Sequence, residues 1–254
     1  MTFQGDTIFI TGGGSGIGRG LAEALHARGN KVIIAGRRRE RLAAVLAANP
    51  GMAAIELDIT NPASVDRAAA QLIAEHPDLN VLINNAGVME IDAAEAPLDD
   101  AQAQRVIDTN LLGPLRMTSA LIEHLKMRDH AAVAYVSSVL GFTPLAFSAV
   151  YSATKAAIHS YALSQRFQLR DTKVRVLEIA PPWVRTELLN SSEAEEAMPL
   201  DQFIGETLAL LDSGADELVV AAGKPLRDNV GPNEHALVQA LNTHMTALFA
   251  GHAA

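Results

Sequence analysis

Short apolar, β-branched runs alternate along the chain with longer segments whose apolar positions recur at helical spacing. Strands are expected at 7–11, 31–36, 53–58, 81–85, 131–138, 173–180 and 217–222. Most of these runs lack polar alternation, which suits parallel strands covered on both faces. Amphipathic segments at 17–28, 38–48, 62–75, 99–127 and 148–170 lie between the strands, with a last helical stretch at 234–249. Glycine and proline mark the joints, as at Gly29, Pro50-Gly51 and Pro77. This rhythm predicts an α/β fold in one domain over 1–254: a doubly wound parallel sheet of about seven strands with helices on both faces. The stretch 187–200 breaks it, being acidic, Ser-rich and weakly periodic. A lid over a site is expected around 187–205.

Composition narrows the function classes. The 254 residues are 49% hydrophobic and 19% charged, as in ordinary globular proteins. With no cysteine, disulfides, thiolate metal sites and Cys nucleophiles are excluded. A net charge of −9 and a pI near 5.3 argue against nucleic acid or an anionic membrane as partner. No apolar run approaches the ~18 residues of a membrane span, and no basic leader precedes the first strand, so a cytoplasmic location is the default expectation. The eight histidines show no HxH or HExxH spacing, so no metal site is expected. His159 reads as a helix-packing residue.

Thr11-Gly12-Gly13-Gly14-Ser15-Gly16-Ile17-Gly18 follows the first strand and opens the first helix. Glycines at such a turn let the backbone approach a pyrophosphate, which then rests on the helix N-terminus. The spacing departs from G-x-G-x-x-G and lacks the Lys-Ser/Thr ending of an ATP-binding loop. At the end of the second strand, where a carboxylate would meet a ribose 2′-hydroxyl, the chain reads Gly36-Arg37-Arg38-Arg39. Guanidinium groups suit a 2′-phosphate, which favours NADP(H) over NAD(H). Arg37 is the first candidate contact and Arg38 the second; Arg39 is assigned to solvent.

Ser138 and the pair Tyr151, Lys155 place a hydroxyl, a phenol and an ammonium within one short stretch. Tyr and Lys four apart share a helix face. A neighbouring cation favours the phenolate and draws the phenol's pKa down toward the working range. Ser137 competes with Ser138, but alternation along a strand puts their side chains on opposite faces, so only one can serve.

Together the motifs Thr11-Gly12-x-x-x-Gly16-Ile17-Gly18, Asp58-Ile59-Thr60, Asn84-Asn85-Ala86-Gly87, Asn110, Ser138 and Tyr151-x-x-x-Lys155 resemble the short-chain dehydrogenase/reductase family, across about residues 5–190. The resemblance implies a Rossmann-type fold and NAD(P)-dependent interconversion of alcohol and carbonyl. It implies Tyr151 as general acid/base, Lys155 as the residue that holds the nicotinamide ribose and lowers the Tyr151 pKa, and Ser138 as the hydroxyl that steadies the carbonyl. The interval of thirteen between Ser138 and Tyr151 favours Ser138 over Ser137. Asn110 resembles the residue that kinks its helix to hold a water linking Lys155 to solvent. Asp58 and Ile59 resemble the adenine contacts, and Asn85, Ala86 and Gly87 the wall beneath the adenosine ribose. Gly12, Ser15, Gly16, Ile17 and Gly18 would hold the pyrophosphate.

Two regions depart from the family. Where Pro-Gly-x-Val-x-Thr is usual, the chain reads Pro181-Pro182-Trp183-Val184-Arg185-Thr186, so Pro182 removes a donor and freedom at φ. Val184 and Thr186 are retained as cofactor contacts; Trp183 either caps the site or packs under the lid. The C-terminus lacks the usual last-strand sequence, which favours a homodimer through 99–127 and 148–170 over a tetramer. Val139, Leu140, Phe142, Pro144 and Leu145, with Met89, Met198 and Phe203, predict an apolar pocket for a small or medium neutral carbonyl. The alternatives are an NAD-linked alcohol dehydrogenase of the same family and a dinucleotide-sensing regulator without catalysis.

Overall fold

The computed structural model describes residues 3–228 and 231–251. Seven parallel strands form one sheet in the order β3-β2-β1-β4-β5-β6-β7. They are β1 (Thr7–Thr11), β2 (Lys31–Gly36), β3 (Ala53–Glu56), β4 (Leu79–Asn84), β5 (Ala131–Val136), β6 (Val174–Ile179) and β7 (Glu217–Leu218). The order reverses between β1 and β4, and in open parallel sheets ligands bind at the carboxyl ends of the strands beside such a switch point.

Alternation along the buried strands feeds two cores. Ile8 and Ile10 of β1 pack with Leu21 and Leu25 of α1 (Gly16–Ala27), Leu42 and Val45 of α2 (Arg39–Ala48), and further partners on one face. Phe9, between them, packs on the other face with Leu72 of α3 (Pro62–Glu75). That face is completed by α5 (Gly113–Lys126) through Leu121 and by α6 (Ala149–Gln168) through Ile158. The doubly wound sheet expected from the sequence is therefore present.

The predicted helix over 99–127 is two helices, α4 (Asp100–Ile107) and α5, joined by a π-helical turn at Asp108–Leu112 that carries Asn110. Residues 200–205 of the stretch expected as a lid are helical. They begin α7 (Leu200–Asp212), where Phe203 is fully buried and Ile204 nearly so, because the apolar side chains of this helix face the core. Phe203 and Met198 belong to that core and do not line the site cleft. The expected strand 217–222 shortens to two residues and continues as a 3-10 turn at Ala221–Gly223, followed by α8 (Lys224–Arg227). The last helix, α9 (Glu234–Gly251), is found where the sequence placed it. Among the described residues no helix is long and apolar enough to cross a membrane.

Candidate active site

A cleft of about 570 Å³ opens at the carboxyl ends of the central strands. Every residue singled out in the sequence as a cofactor contact lines it, as do Ser138, Tyr151 and Lys155. At one end the turn after β1 packs against the turn after β4. Thr11 Oγ1 accepts from the backbone N–H of Asn85 (3.0 Å) and of Ala86 (3.1 Å), and Asn85 Nδ2 donates to the carbonyls of Thr11 (2.9 Å) and Gly12 (3.2 Å). Asn85 thus uses its side chain to fasten the glycine turn. A Cβ on Gly18 would collide with Asn85 Nδ2 and stand 2.5 Å from the Gly12 carbonyl oxygen, while Gly12 adopts a φ of +69°. Gly16 faces Thr186, whose Cβ would lie 3.4 Å from an added methyl.

The first helical N–H groups of α1 lack partners within the helix, and Ser15, at the N-cap, makes no side-chain capping bond. Both features leave donors facing the cleft, and a bare cradle under a helix N-terminus fits a dinucleotide pyrophosphate. Beyond β3, Asp58 Oδ1 accepts from Thr60 N (3.0 Å) and Thr60 Oγ1 (2.7 Å), which orients its carboxylate at the cleft wall beside Ile59.

Arg37 and Arg38 are exposed at the same end. Arg39 turns away to pair with Glu56. A further cation, Arg41, is a site residue that the sequence reading missed. It stands above the glycine turn, 3.4 Å from a Cβ built on Gly14, and its guanidinium pairs across the cleft with Glu187. That pairing holds the Glu187 carboxyl below its ordinary range.

The predicted lid segment is tied down at several points. Val184 bridges to Met198, and Met198 N donates to the Trp183 carbonyl (2.9 Å). The Arg185 side chain donates to the carbonyls of Ala194 (2.9 Å), Ala197 (3.0 Å) and Glu195 (2.8 Å). The Pro181 carbonyl accepts from Val139 N (3.0 Å), so the Pro181-Pro182 pair leaves this strand-end contact intact.

At the other end of the cleft, the backbone that leaves β5 brings the reacting groups together. Ser138 Oγ accepts from Leu140 N (3.1 Å), donates toward the Pro181 carbonyl (3.5 Å), and lies close enough to the Tyr151 phenol to draw its pKa down. Tyr151 is 7% exposed, and burial pushes its phenol up to about 12, with the Ser138 hydroxyl pulling the other way. The depressed phenol expected from the sequence is therefore not the state found: burial outweighs the pull. Lys155 Nζ lies 5.4 Å from the Tyr151 ring centroid and donates to the Val136 carbonyl (2.8 Å). Burial lowers the Lys155 ammonium to about 8, while the Glu178 carboxylate pulls it upward. Asn110 is 1% exposed in its π-helical turn; its amide brackets Val88, accepting from the N–H and donating to the carbonyl, both at 2.8 Å. This places Asn110 beside Gly87, where an added Cβ would stand 3.4 Å from Asn110 Oδ1 and 3.7 Å from Lys155 Nζ.

Around these groups the wall is apolar, from Met89, Val139, Leu140 and Leu145. Phe142 and Pro144 do not line it: Phe142 meets His159 edge to face and lies under the Arg227 guanidinium, and the Pro144 carbonyl accepts from Asn242. Leu226, Leu241 and Met245 from the C-terminal helices complete the wall, and no sequence motif pointed to them. Ser137 faces away and donates to Glu178, so Ser138 alone reaches Tyr151.

Residues 6–197 match the family described as short chain dehydrogenase. The chain is 35% identical over 249 residues to the uncharacterized oxidoreductase DltE of Bacillus subtilis (strain 168), covering 96% of this chain and 99% of that protein. It is 33% identical over 219 residues to the NADP-dependent 3-hydroxy acid dehydrogenase YdfG of Escherichia coli (strain K12), across 84% of this chain and 86% of the relative. The crystal structure of a short chain dehydrogenase from Burkholderia cenocepacia J2315 in complex with NADP is similar at a TM-score of 0.77 and 31% identity, over 98% of both chains. With its parallel sheet, glycine turn and Ser138–Tyr151–Lys155 cluster, the chain belongs to the short-chain dehydrogenase/reductase family and is an NAD(P)-dependent enzyme acting on CH–OH and C=O groups.

Proposed function

We propose that the protein is an NADP(H)-dependent reductase of a neutral, largely apolar carbonyl compound of small or medium size. The observation that carries this reading is the division of charge along one cleft. Arg37, Arg38 and Arg41 stand at the glycine-turn end, whereas Lys155 is the one charged side chain among the described residues lining the reacting end. Arg37 makes no hydrogen bond or ion pair among the described residues, so its guanidinium is available to a 2′-phosphate. An acid substrate of the kind named for YdfG needs a cation for its carboxylate, and the reacting end offers none besides Lys155, whose ammonium lies beside Tyr151. Apolar walls instead favour a neutral ketone.

When bound, NADP(H) supplies the hydride. Ser138 Oγ and the Tyr151 phenol then offer two donors to one carbonyl oxygen as negative charge develops on it. A phenol raised to about 12 stays protonated at neutral pH, the form a proton donor requires in the reducing direction. Proton loss leaves a phenolate, which the Lys155 ammonium over the ring stabilises. Asn110 fixes the backbone of Val88 beside Gly87 and so holds the wall opposite Lys155. Residues 187–199, latched by Glu187 to Arg41, act as the cover over the cofactor end.

The test is a panel of neutral ketones and 3-oxo acids with NADPH and with NADH, on the wild type and on Arg37→Ala. The reading expects turnover of neutral ketones with NADPH preferred, and a preference lost in Arg37→Ala. Equal use of NADH, or turnover of 3-oxo acids alone, contradicts it.

A further inference from the structure

Glu178 is a fully buried carboxylate that the mechanism above does not use. It sits on β6 opposite Tyr135 of β5, directly behind the backbone that carries the reacting groups. One of its oxygens receives the Ser137 hydroxyl and the other the His159 Nδ1 at 2.7 Å. Both of its oxygens face hydrogen-bonding partners, and none of the group meets water.

Its position relative to the tripeptide Val136-Ser137-Ser138 decides what it does. The Val136 carbonyl receives Lys155 Nζ at 2.8 Å, and Ser138 Oγ meets Tyr151. Between them Ser137 points the opposite way, into Glu178. Its N–H donates to the Ile179 carbonyl (2.8 Å), the residue after Glu178, so this short backbone is clamped to β6 at its centre.

The charged and titratable groups around the carboxylate come from every element packed against it. His159 and Lys155 face it from α6, Glu217 from β7 and Arg227 from α8, with Arg166 of α6 acting on Glu217 from beyond. Donor atoms of His159, Glu178 and Glu217 lie within 4.8 Å of one another, a spacing compatible with a metal ion. Arg227, however, binds both Glu217 oxygens at 2.5 and 3.2 Å and stacks on Phe142, so a protein cation already fills that role. Glu217 and Arg227 offset each other, which leaves Glu178 as the net negative charge behind Lys155.

We propose that Glu178 is a positioning residue that clamps Ser137, thereby aligning the Val136 carbonyl and the Ser138 hydroxyl, and that its buried charge holds Lys155 in the ammonium form. Burial alone drives Lys155 toward the neutral amine, which could not stabilise the Tyr151 phenolate. The carboxylate opposes that drive without touching the reacting atoms.

The inference rests on the catalytic reading of Lys155, but its test needs no turnover. Protein labelled with 13C at lysine Cε has five lysine signals, and the Lys155 signal is assigned by its loss in Lys155→Arg. Titrated by NMR, Lys155 in the wild type is expected to have a midpoint near 8. Glu178→Gln keeps the shape and still accepts from Ser137, while its amide N–H meets His159 Nδ1 only in the tautomer that leaves Nδ1 unprotonated; it removes the charge, and moves the midpoint down by about one pH unit. His159→Lys fixes a cation on an intact Glu178 and moves it the same way, which decides the matter if Glu178→Gln does not fold. Unchanged titration of Lys31, Lys126, Lys173 and Lys224 reports an intact fold. A Lys155 curve in either folded variant that overlays the wild type overturns the proposal. Failure of every ketone in the panel would overturn the assigned activity and leave this titration standing.

Discussion

A methyl group added at Gly18 tests how the two halves of the cofactor end are joined. In Gly18→Ala the new Cβ would overlap Asn85 Nδ2 and come within 2.5 Å of the Gly12 carbonyl oxygen. Asn85 cannot retreat without losing its bonds to the Thr11 and Gly12 carbonyls at 2.9 and 3.2 Å. Two such bonds contribute about 1 kcal/mol each, and overpacking of a tight turn costs roughly 1–3 kcal/mol more, about 3–5 kcal/mol in all. If about 2 kcal/mol of this falls on the bound state, NADPH binds roughly 30-fold more weakly. The remainder appears as a lowered Tm. Fluorescence titration with NADPH, alongside thermal melts of the free protein, separates the two shares. A variant that binds NADPH within about twofold of wild type and melts at the same temperature would refute the claim that Gly18 is required by contact with Asn85.

Other expectations follow from the same geometry. Gly205 lies in α7 with open space around its Cβ position, so Gly205→Ala stabilises by roughly 0.5–1 kcal/mol and raises Tm by about 2 °C, with activity unchanged. The Arg41–Glu187 pair is largely exposed and contributes little to folding. Arg41→Ala should therefore leave Tm in place yet weaken NADPH binding by about tenfold, whereas Glu187→Gln, which frees Arg41 for phosphate, should not weaken it. Because burial lowers Lys155 to about 8, its ammonium is complete below that pH and is lost above it; kcat/KM for carbonyl reduction should fall as pH rises through 8. A rate that stays flat to pH 10 would mean that another group governs the reaction.

What could be read from the chain, and what could not, divides by range. Tyr151 and Lys155 are four residues apart on one helix and the glycine turn is contiguous, so local spacing disclosed both ends of the cleft. The strands were legible because β-branched runs buried on both faces leave little else for their residues to do. Arg41 was missed because a charged residue on a short helix looks like a solvated face; its partner Glu187 is 146 residues away. Glu178 had a local signal, a carboxylate inside the apolar run Val174–Ile179, but its meaning needed Ser137 and His159 from other elements. The helix α7 was signalled by Leu200, Phe203, Ile204, Leu208 and Leu211, a helical stripe overlooked beside the acidic stretch before it. The π-helical turn at Asn110 is one extra residue in a helix, a defect too small to disturb the periodicity of the segment around it. The depressed Tyr151 phenol was misjudged because sequence shows the cation but not the burial that opposes it.

The central claim, that Tyr151 is the proton donor of an NADPH-dependent carbonyl reductase, is tested most directly by single-turnover reduction of a neutral ketone at saturating NADPH in wild type and Tyr151→Phe. The account predicts unchanged NADPH affinity and a hydride-transfer rate lower by about 10²–10⁴-fold in the variant. Reduction by Tyr151→Phe at the wild-type rate would contradict it.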